Sequence, residues 1–447
     1  MFRTRIVAVV WAVVSLISTC GLGEIIFVDA NSPYGPGSGT PAEPFRMIQD
    51  AIDAAQDGDI IEIRPGVYTG QGNYDLDPNG KGITICSIDP DDPNIVVGTI
   101  IDPNREGRGF FFQSGEDGNC VIRGLTIQNG YGGKGGGIFC QDSSPTINNC
   151  TIRDSTAMTY GGGIFCRGGS PQLRGCAISG NLAMGGGGIE CWFGQPVIIN
   201  CLIAGNMVWG DGGGGVDCYD SGNVILRSCT IAGNLAPEGV GGGLLCLGSN
   251  VETENSVFWD NNAQQGSQIS VPSWFGIPAS ATVAYSDTQG GKAAVDVGPK
   301  STLNWGSGNI DCDPCFASFD PNGDSSLWDF HLQSTDGRWE PNQNVWVCDA
   351  VTSPCIDTGD PNSDWRGEPW PNGKRINIGA YGGTGQASMS GSPGDFNIDG
   401  AVNFEDFCEI AGKWRLEGDF FEDLSGNGLV DTTDLGLFTQ TWLWQRK

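Results

Sequence analysis

Gly135-Gly136-Gly137-Ile138-Phe139-Cys140 opens the series that decides the fold. The same six positions return as GGGIFC ending at Cys166, GGGIEC at Cys191, GGGVDC at Cys218 and GGGLLC at Cys246, at spacings of 26, 25, 27 and 28 residues. A second motif keeps step with the first: SPTINNCTI around Cys150, SPQLRGCAI around Cys176, QPVIINCLI around Cys201 and NVILRSCTI around Cys229. It ends in NVETENSVF, with Ser256 in the cysteine's place. Two interleaved motifs with one period describe stacked coils of one kind.

Within a coil, Ile138 and Cys140 alternate with Phe139 and Gln141, the period of a strand with one buried face. Ile147, then Cys150 with Ile152, are the apolar positions of two further short strands, and Asn148-Asn149 between them supplies a sharp turn. The glycine triplets precede the first strand, where a backbone free to take positive φ can turn into the next rung. Three strands per coil and no 3.6-residue period predict an all-β, three-sided parallel solenoid. Less regular rungs are read upstream in IIEIRPGVY, GITICSI, GTIID, GFFFQ and CVIRGLTIQNG, and downstream in TVAYSD, WDFHLQS and INIGAYGG. An open solenoid exposes an unpaired rung. The segment Met47 to Ala55, with Ile48, Ala51, Ile52 and Ala55 on one helical face, is the expected N-terminal cap helix. Roughly eleven rungs, stacked about 4.8 Å apart, give a rod on the order of 50 Å long.

These repeats resemble those of right-handed parallel β-helix proteins, the architecture of pectate lyases and of many secreted surface proteins. The resemblance covers most of the chain, residues 24–383. Nine cysteines sit at the two inward repeat positions. They are either small buried core residues or disulfides between neighbouring rungs, for which parallel side-chain vectors are awkward. Cys312 with Cys315, and Cys348 with Cys355, are expected as local bridges.

Composition limits the partners. The 52 acidic and 23 basic side chains of the 447 residues leave a net charge of −29, which disfavours nucleic acid and anionic membranes. His331 is the single histidine, which excludes multi-histidine zinc sites, and it sits in a strand-like stretch as a structural residue. At the start, Arg3 and Arg5 precede an apolar run from Ile6 to Ile17 broken only by Ser15, with small residues from Cys20 to Gly23. This is the pattern of a secretory signal over residues 1–23. The run is too short to span a bilayer. Ile17-Ser18-Thr19-Cys20 also loosely resembles a lipoprotein cleavage box, the alternative reading. The rest is expected in an oxidising place, secreted and extracellular or at a cell surface.

From Thr384 to Gly394 the sequence TGQASMSGSPG lacks any apolar period, so residues 384–393 are expected as a flexible linker. A duplicated metal loop follows in 394–447. In DFNIDGAVNFED, Asp395, Asn397, Asp399, Asn403 and Asp406 fall at loop positions 1, 3, 5, 9 and 12. In DLSGNGLVDTTD the same places are held by Asp423, Ser425, Asn427, Asp431 and Asp434, and Gly400 and Gly428 stand at the turns. Hard oxygen donors at these spacings wrap around one Ca²⁺ each. Aspartate closes each loop, one helix follows each loop, and Trp414 and Trp442 each stand eight residues after the closing aspartate. This tail resembles a dockerin, a small two-calcium α-helical module that binds cohesin domains. Ser425, and the pair Phe404-Glu405 against Thr432-Thr433 at the recognition positions, depart from an even duplication and bear on cohesin preference.

If Ile138 and Cys140 point inward, two columns point out: Phe139, Phe165, Glu190, Asp217, Leu245, and Gln141, Arg167, Trp192, Tyr219, Leu247. Carboxylates one rung apart beside an arginine and aromatic rings are what a saccharide site needs. The resemblance to pectate lyases implies Glu190 and Asp217, with Asp211 or Asp220, as cation ligands, and Arg167 or Lys134 as the base. Trp192, Tyr219 and Phe165 are the expected substrate-binding rings. The sequence therefore predicts a secreted carbohydrate-active or carbohydrate-binding protein, a polysaccharide lyase or glycoside hydrolase, tethered through its calcium module. An acidic rod repels polyuronates unless cations bridge them, so a neutral glycan stays open. The alternative is a non-catalytic adhesin or envelope protein that uses the rod as a rigid display surface.

Overall fold

Residues about 26 apart in sequence are vertical neighbours in space. Ile138 pairs with Ile164, Ile164 with Ile189, Ile189 with Val216 and Val216 with Leu244, parallel and in register. The computed structural model describes residues 23–273, 276–418 and 420–443. The signal segment, apart from Gly23, and Cys20 with it, lies outside the described residues.

One coil runs through strands Ile138–Gln141, Thr146–Asn148, Thr151–Arg153 and Thr156–Tyr160. Stacked coils make four parallel sheets, in that order of eight, 11, nine and six strands. The first three are the expected sides of a right-handed parallel β-helix, the hand that parallel crossovers adopt. The fourth is an addition. Its strands, such as Thr156–Tyr160, Leu182–Ala183 and Met207–Val208, share no alternation that a repeat search can find.

One continuous core fills the coil, from Val28 to Val295. The nine ladder cysteines lie in it, at most 1% exposed and all as free thiols. Burial pushes Cys229 up to about 12, so it stays a neutral, small apolar residue. The local bridges expected at Cys312–Cys315 and Cys348–Cys355 are not formed either. Cys348 is exposed, whereas Cys355 is buried with its thiol donating to Asp287 Oδ2 at 3.2 Å.

Two corner devices hold the coils in step. The first glycine of the motif is left-handed at Gly135, Gly161, Gly186 and Gly241, and a Cβ on Gly136 would lie 2.4 Å from the Gly162 carbonyl oxygen. At the corner between the third and fourth sheets, Asn181, Asn206, Asn234 and Asn261 form a buried ladder. The Nδ2 of each of the first three donates to the Oδ1 of the next at 2.9–3.0 Å. Each of the four also donates to a backbone carbonyl, and the Oδ1 of Asn206, Asn234 and Asn261 accepts the N–H of the asparagine one rung before. The ladder leaves a faint trace in the sequence, an asparagine five residues after Cys176, Cys201, Cys229 and Ser256.

The cap helix spans Ile48–Ala54 and buries Ile48, Ala51 and Ile52 against the first rungs, as its pattern requires. A strand at Ile25–Val28 adds the outermost edge. At the other end the coil stops after Thr302–Trp305. Two expected rungs are not rungs. WDFHLQS gives strand Asp329–Leu332, antiparallel to Phe316–Ser318, and INIGAYGG forms no strand. Both belong to an irregular layer laid against the third sheet, where Phe316, Phe330, Leu332 and Ile378 pack on Ala204, Ala232 and Val257. His331 is buried in this layer, with Nδ1 2.5 Å from Asp329 Oδ1 and Tyr381 stacked on its ring.

Residues 384–393, expected as a linker, are packed against the irregular layer. Ala387, Ser388, Ser390 and Ser392 are buried. Ser388 Oγ donates to the Leu332 carbonyl at 2.5 Å, Ser334 Oγ to that of Met389 at 2.6 Å, and Asn377 Nδ2 to that of Ser388 at 2.8 Å. Hydrogen bonds hold this segment where an apolar period is missing. The C-terminal module follows directly, with Trp370 stacked against Phe421 at 4.9 Å and its indole N–H on the Pro393 carbonyl.

Candidate functional site

Glu190 and Asp217 are paired residues on adjacent first-sheet strands, Ile189–Trp192 and Val216–Tyr219. Their side chains point away from the core, as alternation demands, yet they are only 2% and 4% exposed. The turns leading into those strands lie over them. A Cβ on Gly186 would stand 2.7 Å from Glu190 Oε2, and one on Gly212 3.0 Å from Asp217 Oδ2, so only glycine lets the backbone come this close.

Each carboxyl has one oxygen in a hydrogen bond and one orphan oxygen, and the Gly161 backbone also favours the Glu190 charge. Glu190 Oε1 accepts the Trp192 indole N–H at 2.6 Å, and Asp217 Oδ2 accepts the Gly213 N–H at 3.1 Å. Glu190 Oε2 and Asp217 Oδ1 are buried without a partner. Burial, and then the neighbouring Asp217 charge, raise the Glu190 carboxyl well above the carboxylate range. Burial raises Asp217 to about 7, against the pull of the Gly213 N–H and with a push from Asp211. Near neutrality the pair therefore holds a proton.

The structure puts Lys134, not Arg167, beside this pair. The Lys134 ammonium lies 4.6 Å from the Trp192 ring centre and 5.1 and 5.4 Å from those of Phe165 and Tyr160. Its charge favours the ionised form of Glu190. Arg167 is exposed, in register with Trp192, and joins no ion pair found among the described residues. Asp211 and Asp220 are exposed at turns.

Of the expected sugar-binding rings, Trp192 and Tyr219 are half-buried and 5.5 Å apart. Phe165 is fully buried, wedged between Phe139 and Trp192, and supports the indole from beneath. Two rings were missed. Tyr160, from the fourth sheet, sits 4.6 Å from Trp192. Phe193 is 52% exposed and stands edge-on to Trp192 and Tyr219, at 6.3 and 6.2 Å.

In the C-terminal module both loops adopt one conformation. The closing aspartates are fully buried at the start of helices Phe404–Lys413 and Thr432–Phe438. Asp406 accepts the N–H groups of Phe396, Asn397 and Asn403, and Asp434 those of Ser425 and Asp431. The leading aspartates do likewise: Asp395 accepts from Asp399 and Gly400, and Asp423 from Asn427 and Gly428. Gly400 and Gly428 both have φ of 85°, the left-handed turn the spacing anticipates. Among the described residues no three His, Cys, Asp or Glu side chains alone make a metal cluster. The donor set is mixed, with Asn397, Asn403, Ser425 and Asn427 supplying neutral oxygens, and such all-oxygen sets suit a hard divalent cation.

Residues 112–297 match a family model described as a right-handed β-helix region. No curated protein sequence matches the chain. Among solved structures, pectate lyase Pel9A is similar over 80% of this chain and 96% of its own, at 16% identity and a TM-score of 0.44. A pectin methylesterase from carrot covers 70% of this chain and 88% of its own, at 14% identity and a TM-score of 0.35. For a rhamnogalacturonan lyase the figures are 67%, 91%, 12% and 0.33. Likenesses of this depth say nothing of a shared reaction.

Proposed function

We propose that this chain is an exported β-helix protein that acts on polysaccharide through Glu190 and Asp217 and is tethered by a calcium-dependent C-terminal module. The observation that carries the reading is the buried carboxyl pair with one orphan oxygen on each member, beside Trp192. Such a pair divides the labour of breaking a glycosidic bond. Glu190, held protonated, gives its proton to the leaving oxygen as the C–O bond breaks. Asp217, when ionised, supplies the second carboxylate that such a cleavage needs at the anomeric carbon. Lys134 faces Glu190 and favours its recharging as the proton leaves.

One observation favours the second reading, a rod that binds glycan without cleaving it. Both carboxyls lie under glycine turns, so catalysis requires those turns to lift. Incubation with a panel of acidic and neutral glycans decides between the two. Product formed by the wild type and abolished in Asp217→Asn supports cleavage. Retardation in affinity gels without product supports binding alone. Neither product nor retardation leaves the rod as a display surface for another protein.

For the module, Asp395, Asn397, Asp399, Asn403 and Asp406 would hold one Ca²⁺, and Asp423, Ser425, Asn427, Asp431 and Asp434 a second. Bound calcium would take these oxygens as ligands and couple its binding to the folding of both loops. Its partner in this reading is a cohesin-like protein that meets the exposed Phe404 helix. Calorimetric titration with Ca²⁺ should give about two sites, and Asp395→Ala should weaken one. A heat trace without saturable binding rejects the tether.

A further inference from the structure

The position that follows the first-sheet strand is left-handed in five successive coils. It is held by Asp142, Gly168, Phe193, Asp220 and Gly248, with φ of 52°, 66°, 58°, 44° and 58°. Glycine and aspartate suit such a turn, whereas a bulky aromatic residue is an outlier there. Phe193 therefore carries backbone strain that a glycine would remove, and its ring is not repaid by burial, being 52% exposed. Strain retained under an exposed ring is a mark of use.

Phe193 stands where three rings from two coils meet. Trp192 precedes it, Tyr219 pairs with Trp192 in the next rung, and each lies within 6.3 Å of the others by ring centre. Trp192 is fixed from behind by the hydrogen bond to Glu190 and by Tyr160 and Phe165. Around the platform the exposed carboxylates are Asp211 and Asp220, against Lys134 and Arg167, and the chain as a whole carries a net charge of −29. Lys134 is already engaged by three rings.

We infer that Trp192, Phe193 and Tyr219 form a stacking platform for a neutral saccharide, placed beside the carboxyl pair. The inference rests on the glycan reading above and narrows it to uncharged sugars. Pyranose rings offer apolar C–H faces to aromatic planes and carry no charge to be repelled by the acidic surface. A polyuronate brings a negative charge on every ring and, among the described residues beside the platform, meets Arg167 as a cation outside any ion pair.

The test is affinity electrophoresis of the full chain in gels containing a mixed-linkage β-glucan, a galactomannan, a neutral xylan, polygalacturonate or chitosan, run for the wild type and Phe193→Gly. Glycine is the residue used at this turn in two other coils, so the variant should fold, with Tm unchanged or raised. Retardation of the wild type by a neutral glycan, weakened about tenfold in Phe193→Gly, is the expected result. Equal retardation of the variant overturns the platform. Retardation by polygalacturonate or chitosan alone overturns the neutral class and leaves the glycan reading standing. Retardation by no glycan overturns that reading and the platform with it.

Discussion

Two sets of buried polar side chains stack rung over rung in this rod, and they are treated in opposite ways. In the asparagine ladder each amide bonds along the column and to the backbone beside it. In the carboxyl pair, which is as deeply buried, each member keeps one oxygen without a partner. A satisfied buried network adds rigidity, whereas an orphaned group carries its desolvation penalty unrelieved. The ladder thus adds to the stability of the coil, and the pair persists despite its effect on stability, as the role proposed for Glu190 and Asp217 requires.

The largest effect is expected where the satisfied set is broken. Asn206→Ala removes the partner of Asn181 on one side and of Asn234 on the other, and frees the Ile178 carbonyl. A loss of about 3 kcal/mol in urea unfolding is expected, and it should be flat between pH 5 and 8, since no proton is involved. A loss below about 1 kcal/mol would mean that water replaces the ladder and that the contrast drawn above is empty.

Breaking the other set should do the reverse. The Asp217 carboxyl is raised from 3.8 to about 7 in the folded chain, so the native state binds a proton that the unfolded state has released. Its contribution is favourable only while it stays protonated, and stability falls as pH rises from about 4 through 7. Asp217→Asn keeps the shape and removes the charge. At pH 8 it should stabilise the protein by about 2 kcal/mol and at pH 4 by little, while any glycan cleavage is lost. Asp287 and Glu368, each also raised to about 7 by burial, slope the same way. The diagnostic is therefore the difference between variant and wild type across pH. A difference independent of pH would show that the pair is not proton-linked.

The contrast also explains what could be seen in the sequence. The inward columns, Ile138 with Cys140 and Ile147 with Ile152, repeat by identity at a fixed step, so the coil and its register are legible. So are the turns of the two acidic loops in the tail, whose left-handed glycines Gly400 and Gly428 stand where the spacing puts them. The burial of Glu190 is not legible, because it depends on Gly185-Gly186 and Gly212 folding over a face that alternation marks only as outward. Phe193 hides for a similar reason, since its left-handed turn is visible only when the coils are aligned in space. Residues 312–392 escape because serine, asparagine and aspartate side chains tie that layer together. Such bonds leave no period.

The smallest expected effect puts the same rule to a finer test, within the cysteines. In the ladder beside the second-sheet strands each thiol faces a carbonyl two residues back: Cys150 that of Asn148, Cys176 that of Arg174, Cys201 that of Ile199 and Cys229 that of Arg227, at 3.2–3.4 Å. Ser256 continues this column, its hydroxyl on the Glu254 carbonyl at 2.9 Å, so the site already accepts oxygen. In the first-sheet ladder Cys191 has apolar neighbours and other thiols about it, and its sulfur takes up no backbone carbonyl among the bonds described. Cys201→Ser should cost less than about 1 kcal/mol, and Cys191→Ser about 1 kcal/mol more, because its hydroxyl meets no carbonyl and has only the weakly accepting Cys166 sulfur. Equal losses in denaturant titrations would show that the size of the atom, and not the presence of a partner, sets the tolerance of this core. The reading of Glu190 and Asp217 as orphaned groups kept for use would then lose its physical footing.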